Sequence, residues 1–337
     1  MSNSTTGSIG LSAVSSLDQS WQHLLKNSLA NNTQKTYSSA QKRFLKFCEE
    51  HDFLHPNGSA VPASELTILR FIGSLSGFCQ ASTIRVYLSA VRSLHIQNGV
   101  EDPLVGCLRI PLVLRGLRRL KSSNRPQKIP ITPLVLGSIK SQLNLDNYDD
   151  SMFWAACCMA FFGFLRAAEL TVSSEAVKLD RYLSIKDLSI DKHPYPETTV
   201  LKLRYSKTDQ FGKGCVIPLA RSGSQICPVD ALMSYLWLRG SNNGPLFLFE
   251  DRKPLSKDRL NNRLQKELKV SGFEGHFTLH SFRVGAATTA AALGFPDHLI
   301  QAMGRWSSDA YKIYIKLPVN RLISASRCMG SAKSFKE

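Results

Sequence analysis

From about Trp21 the apolar residues of the chain fall at helical spacing. Asn31-Asn32-Thr33 reads as an N-cap. After it Tyr37, Ala40, Phe44, Phe47 and Cys48 recur at steps of three, four and one, as the inner face of a helix does. Pro62-Ala63-Ser64 opens a second helix through Leu66, Leu69, Ile72 and Leu75. Ser82 caps a third, with Tyr87, Ala90, Val91 and Leu94 on one face, Arg85 and Arg92 off it, and Asn98-Gly99 at its end. Pro111 to Lys121 reads as a fourth. Residues 21–120 are therefore expected to form a small all-helical bundle, preceded by a flexible Ser- and Asn-rich tail over 1–20.

The pattern breaks at 121–131, a polar, basic stretch with two prolines that reads as a linker. Thr132-Pro133 then supplies an N-cap and an N1 proline. A long helix is expected over Ser151–Leu165. Between 181 and 219 the period shortens to that of strands. Leu183–Ile185, Thr199–Tyr205 and Cys215–Leu219 predict a small antiparallel sheet, with Lys207 at a hairpin tip. Helices resume at Pro228–Arg239, Ser256–Val270, His280–Leu293 and Asp297–Met303. The fold class is mainly α with a small antiparallel β-sheet, and residues 132–318 form the second domain. A C-terminal tail follows over 319–337, with helical spacing in Arg321–Met329.

Composition adds a partner class. The 337 residues carry a net charge of +16. Residues 1–125 hold 14 Lys and Arg against 7 Asp and Glu, and the remainder 28 against 19, so both halves are basic. Two basic domains suit one polyanion, such as double-stranded DNA. In the first domain Lys35, Lys42, Arg43, Arg85, Arg92, Arg115, Arg118, Arg119 and Lys121 are the candidate DNA-binding residues. The eight cysteines are scattered without a C-x-x-C, which points to a reducing, intracellular compartment, the nucleus if the cell is eukaryotic. The first ten residues lack the charged and apolar regions of a signal peptide. The longest apolar run is too short to cross a bilayer.

Four stretches carry chemistry: GFLRAAEL with Arg166 and Glu169, SKTD with Lys207, HSFR with His280 and Arg283, and GRWSS with Trp306, running on to Tyr311 and Tyr314. Each has a bland alternative taken singly. Arg166 and Glu169 could be a surface ion pair, Lys207 a solvated turn lysine, Trp306 a core aromatic. Together they supply what metal-free phosphoryl chemistry needs. Guanidinium forks can hold two phosphate oxygens, an imidazole can take a proton, and an indole N–H is a donor only. A phenol can attack once it is helped to ionise. His276 and His280 stand four apart, but no Glu or Cys completes a metal set at ligand spacing. Spacing alone does not choose between Tyr314 and Tyr311.

This ordered set resembles the tyrosine recombinase family, which includes the phage integrases. His280-Ser281-Phe282-Arg283-Val284-Gly285-Ala286-Ala287 is similar to the HSxRVGAA stretch of its Cre-like members, and Tyr314-Ile315-Lys316 to their Tyr-Ile-Arg. SKTDQ and GRWSSDAY resemble recombinases of eukaryotic DIRS- and Crypton-type mobile elements. The resemblance implies a helical, SAM-like core-binding domain over 21–120 and a catalytic domain over 132–318. It implies Arg166 and Arg283 as phosphate clamp, Lys207 as general acid, His280 as acid/base partner and Trp306 as phosphate donor. Glu169 is the supporting carboxylate and Tyr314 the nucleophile. In most members the nucleophile stands nine residues after the His/Trp position, whereas Tyr314 is eight after Trp306 and Tyr311 five. The activity implied is DNA cleavage and rejoining through a 3′-phosphotyrosyl bond, with no cofactor, metal or ATP, by a homotetramer on DNA. The alternatives are a domesticated, non-catalytic DNA-binding protein and a type IB topoisomerase-like enzyme.

Overall fold

The computed structural model describes residues 18–25, 27–121, 128–173, 177, 181–192, 194–206, 209, 213–314, 323 and 326–327. The chain divides into two compact units, Met1–Arg125 and Pro126–Glu337.

In the first unit residues 18–25 are helical, so helix begins inside the expected 1–20 tail. Four helices follow: α1 (Asn31–Glu50), α2 (Glu65–Ser76), α3 (Ala81–Gln97) and α4 (Arg109–Leu120). Two expected caps are not used. Asn31 already lies within α1, whose N-cap is Ala30, and Ser82 lies within α3, whose N-cap is Gln80. Ser64 does cap α2, accepting from the Thr67 N–H at 3.1 Å. The inner face of α2 is Ile68, Phe71, Ile72 and Leu75, whereas Leu66 is exposed. These side chains meet Phe44, Phe47, Ile84, Leu88, Val91, Leu114 and Leu117 in one core. Phe44 and Phe71 touch edge to face, with centroids 5.1 Å apart. Removing either ring costs about 3–5 kcal/mol, a large part of what holds a domain of this size.

The second unit is built around α6 (Tyr148–Phe162), which follows α5 (Pro133–Lys140). Thr132 and Asn147 cap the two helices as the sequence expects for Thr132. Every residue of α6 from Ser151 to Phe161 is buried. A helix apolar on all sides must be surrounded. α8 (Pro228–Arg239) and α10 (His280–Ala292) pack against it. A short α7 (Ala167–Leu170) follows α6, and α9 (Lys257–Val270) precedes α10.

The sheet has three antiparallel strands in the order β1 (Leu188–Ile190), β2 (Thr198–Leu203) and β3 (Cys215–Ala220). Leu201 stands opposite Leu188 on one side and Ile217 on the other. The first strand lies later than the expected Leu183–Ile185. Ser184 and Asp187 form a reciprocal cap that turns residues Ile185–Asp187 into a 3-10 helix, and the strand starts only after it. The expected hairpin tip at Lys207 lies outside the described residues. Its flanks Ser206 and Asp209 form a single bridge, and Asp209 accepts from the Lys213 and Gly214 N–H groups.

α11 (Asp297–Gly304) and a 3-10 helix, Asp309–Tyr314, follow α10. Ile129 and Ile131, which fall within the expected linker, donate to the carbonyls of His276 and Ser281 at 3.1 and 3.0 Å. Gly285 is what admits Ile131, since a Cβ there would lie 1.8 Å from the Ile131 oxygen. Most of the expected tail helix Arg321–Met329 lies outside the described residues.

Candidate active site

Arg166 is the N-cap of α7 and is held by Glu169, three residues on. Its backbone N–H donates to Glu169 Oε2 at 2.9 Å, and its Nη1 donates to Glu169 Oε1 at 3.0 Å. Glu169 is buried, an environment that a carboxylate tolerates when its oxygens are hydrogen-bonded, as both are here. The preceding turn holds Phe164 at φ 48°, a left-handed conformation that costs a bulky residue about 1 kcal/mol or more. Its carbonyl is gripped by two guanidiniums. It accepts from Arg283 Nη1 and, at 3.3 Å, from Arg305 Nη2.

Arg283 leaves α10 toward the interior and is 1% exposed. Its Nη2 donates to the Gly304 carbonyl, and its guanidinium lies 4.2 Å from the centroid of the Trp306 ring. Burial, then the charges of Arg166 and Arg305, bring its pKa down to about 9. His280 stands one turn earlier on α10. Burial first, then the charges of Lys128, Arg283 and Arg166, bring its pKa down to about 4. At neutral pH the imidazole is therefore uncharged and able to accept a proton.

Trp306 follows α11 directly. Its ring lies across Gly304, where a Cβ would fall 1.6 Å from the indole. It meets Phe164 edge-on, with centroids 6.0 Å apart. Tyr311 and Tyr314, one 3-10 turn apart, both approach this indole, at 5.7 and 6.1 Å. They differ in exposure. Tyr311 is buried at 2% exposure, and its phenol pKa is raised by burial and by the Asp297 carboxylate. Tyr314 is half-buried and packs edge-on against His280 at 5.2 Å.

The fold thus gathers Arg166, Glu169, His280, Arg283, Trp306, Tyr311 and Tyr314 from three separated stretches. Lys207 lies outside the described residues. Two participants were not foreseen. Arg305 donates to Glu169 Oε2 and to the Gly163 carbonyl at 2.9 and 2.8 Å, and Lys128 acts on His280 through its charge. The one sequence signal for Arg305 is its place just after α11, where glycine is the usual C-terminal residue. Lys128 had none.

In the first unit the candidate DNA-binding residues are not equivalent. Lys42, Arg85, Arg115, Arg118 and Arg119 are exposed. Arg92 pairs with Asp102 at 2.7 Å, and Arg43 lies over the Phe78 ring. Lys121 Nζ donates to the carbonyls of Gly77 and Cys79. Lys35 is exposed on the first turns of α1.

Residues 199–319, which hold His280, Arg283, Trp306 and Tyr314, match the phage integrase family. The match lies wholly within the second unit. A curated relative is the integrase/recombinase xerD homolog of Selenomonas ruminantium. It is 27% identical over 282 residues, which span 79% of this chain and 76% of that protein. Among solved structures, the XerH site-specific recombinase in a post-cleavage complex superimposes with a TM-score of 0.63. The match has 15% identity and covers 87% of this chain and 78% of that one. A lambda integrase (75–356) dimer bound to a COC′ core site gives 0.59 at 16% identity, covering 89% and 94%. These structural likenesses extend over both units and establish the tyrosine-recombinase fold. No described helix is long and apolar enough to cross a membrane.

Proposed function

We propose that this chain is a site-specific DNA recombinase or integrase that cleaves and rejoins duplex DNA by transesterification. The observation that carries the reading is the charge balance around Tyr314. Arg166 and Arg305 share one carboxylate, Glu169, and the buried Arg283 guanidinium, held on backbone carbonyls, lies nearby with a neutral His280. Such an excess of fixed cations is complementary to an anion whose charge builds up during reaction. In the reaction the Tyr314 oxygen attacks phosphorus, its proton passes to His280, and the bond to O5′ breaks. Lys207 protonates that oxygen, and a 3′-phosphotyrosyl bond is left. A 5′ hydroxyl from another strand reverses the step. The ester bond is conserved throughout, so the scheme uses no ATP.

The basic first unit serves as the core-binding domain, gripping the duplex together with the second. Recombination joins two duplexes at four strands, so the working form is a homotetramer on DNA. Lambda integrase, which shares the fold, is known as a tetramer bound to a Holliday junction. The C-terminal residues from Val319 onward join the subunits in this scheme. Truncation there lowers synapsis and spares binding by the monomer. The element served is a mobile one, acting in the nucleus if its host is eukaryotic.

The decisive experiment incubates the purified protein with a pool of nicked duplexes of random sequence and isolates DNA that stays attached in detergent. Peptide mass analysis then locates the attached residue. A phosphotyrosine adduct at Tyr314 is expected. Selective DNA binding with no adduct in any duplex would make the chain a binding protein instead. Adducts accompanied only by relaxation of supercoils, with no exchange between duplexes, would make it a topoisomerase.

A further inference from the structure

Arg305 neither moves a proton nor makes a bond in the scheme above, yet it is among the most engaged side chains near it. It ends α11 with φ 56° and ψ 43°. Glycine is the residue that adopts this left-handed conformation at no cost, and a residue with a side chain persists there when its surroundings hold it. The side chain supplies the reason. It is 15% exposed, and its guanidinium reaches back across the site to the turn after α6. Nη1 donates to the Gly163 carbonyl at 2.8 Å. Nη2 donates to Glu169 Oε2 at 2.9 Å and to the Phe164 carbonyl at 3.3 Å.

We infer that Arg305 is a positioning residue that holds Glu169 and thereby sets both the direction and the effective charge of Arg166. Glu169 is the only carboxylate hydrogen-bonded to Arg166 among the described residues, and it is buried. Facing Arg166 alone, it would form a closed ion pair and cancel the charge meant for phosphate. With Arg305 on its other oxygen the carboxylate is shared between two guanidiniums, and Arg166 keeps a net pull on an anion. The same contacts tie the backbone of Phe164, which Arg283 also grips, to the residue directly before Trp306. One side chain thus sets the spacing between the Arg166, Arg283 and Trp306 stretches. A misplacement of about 1 Å among such groups costs on the order of 10²-fold in rate.

The inference rests on the recombinase reading, so the test begins with the wild-type protein and the nicked duplex recovered from the random-sequence pool. If the wild type forms no adduct, the recombinase reading fails and Arg305 is not at issue. If it does, the cleavage rate at saturating protein is compared for the wild type, Arg305→Gln, Glu169→Gln and the double variant. Thermal unfolding and DNA affinity are followed in parallel. Arg305→Gln is expected to slow cleavage about 100-fold and to change DNA affinity less than threefold. The double variant should cleave faster than Arg305→Gln alone, because the unshared carboxylate is then gone. A purely structural arginine gives the opposite order, with the two losses adding. Equal rates for wild type and Arg305→Gln, or additive losses in the double variant, overturn the inference. Should Arg305→Gln not fold, Arg305→Lys keeps the charge without the fork and is expected to show a smaller loss of the same kind. An Arg305→Lys protein that folds and cleaves at the wild-type rate would also overturn it.

Discussion

The imidazole of His280 meets the ring of Tyr314 edge-on, with centroids 5.2 Å apart. Tyr311, one turn earlier, is buried beside the Asp297 carboxylate, which favours its protonated phenol. The two tyrosines share an indole neighbour, and the neutral base lies against Tyr314. Tyr314→Phe should bind DNA normally and form no covalent adduct. Tyr311→Phe should retain the adduct, with a lower melting temperature from its altered core. Loss of the adduct in Tyr311→Phe alone would move the nucleophile by one turn.

Arg166 and Arg283 should separate by stability. Arg166→Ala and Arg283→Ala are each expected to lower cleavage by about 10²–10³-fold, the usual cost of one preorganised donor. Arg283 also satisfies the Phe164 and Gly304 carbonyls from a buried position. Its loss takes that donor from the Gly304 carbonyl, at about 1–3 kcal/mol, and leaves the Phe164 carbonyl with Arg305. Denaturant unfolding should therefore show a clear loss for Arg283→Ala and a smaller one for Arg166→Ala. Near-normal cleavage by either variant would remove that arginine from the clamp.

His280 should titrate low in the free protein. Its folded pKa of about 4 lies below the ordinary 6.5, so protonation favours the unfolded chain. The stability tied to this shift is complete above pH 6.5 and lost as the pH falls through about 4. NMR titration of the imidazole should give a midpoint below 5. Adding a DNA phosphate should raise it, because an anion then faces the ring. In His280→Gln this part of the acid destabilisation should vanish. An imidazole that titrates near 6.5 without DNA would contradict the burial that defines the site.

Binding should fall steeply with salt. Several phosphate contacts give a log–log slope of several units, and each contacting cation removed lowers it by about 1. Lys42→Ala and Arg85→Ala, exposed in the first unit, should show that decrease. Lys121→Ala should act on stability instead, since Lys121 Nζ is occupied by two backbone carbonyls. A slope unchanged by all three substitutions would place the DNA elsewhere.

Two glycines should tolerate no methyl group. A Cβ at Gly304 would overlap the Trp306 ring, and one at Gly285 would overlap the Ile131 backbone. Gly304→Ala is expected to displace the indole from Arg283 and reduce cleavage with modest loss of stability. Gly285→Ala forces backbone apart and should lower the melting temperature more. Tryptophan fluorescence and thermal unfolding distinguish the two.

The helices and the side chains that the fold brings together around Trp306 were legible in the sequence because each obeys a local rule. The apolar face of α1, the Thr132-Pro133 start of α5 and the three-residue spacing of His280 and Arg283 are all short-range patterns. The misreadings arose where two local signals competed. Leu183–Ile185 has strand-like residues, but the Ser184–Asp187 cap turns them into a 3-10 helix. Asn31 and Ser82 are good capping residues, but the N-caps fall one and two positions earlier, at Ala30 and Gln80. Arg305 and Lys128 could not be read at all, because their partners lie far away in sequence. Arg305 reaches Glu169 across 136 positions.

Ile129 and Ile131 fasten the chain to the carbonyls of His276 and Ser281, immediately around His280. Lys128, the first described residue of the second unit, depresses the basicity of that same histidine through its charge. The stretch of chain entering this unit is therefore fastened at the start of α10. A pull that drew Lys128 away would make His280 a stronger base, and a push toward it would make it weaker. A charge that lowers the proton affinity of His280 thus sits on the same short stretch of chain that the carbonyls of His276 and Ser281 hold in place.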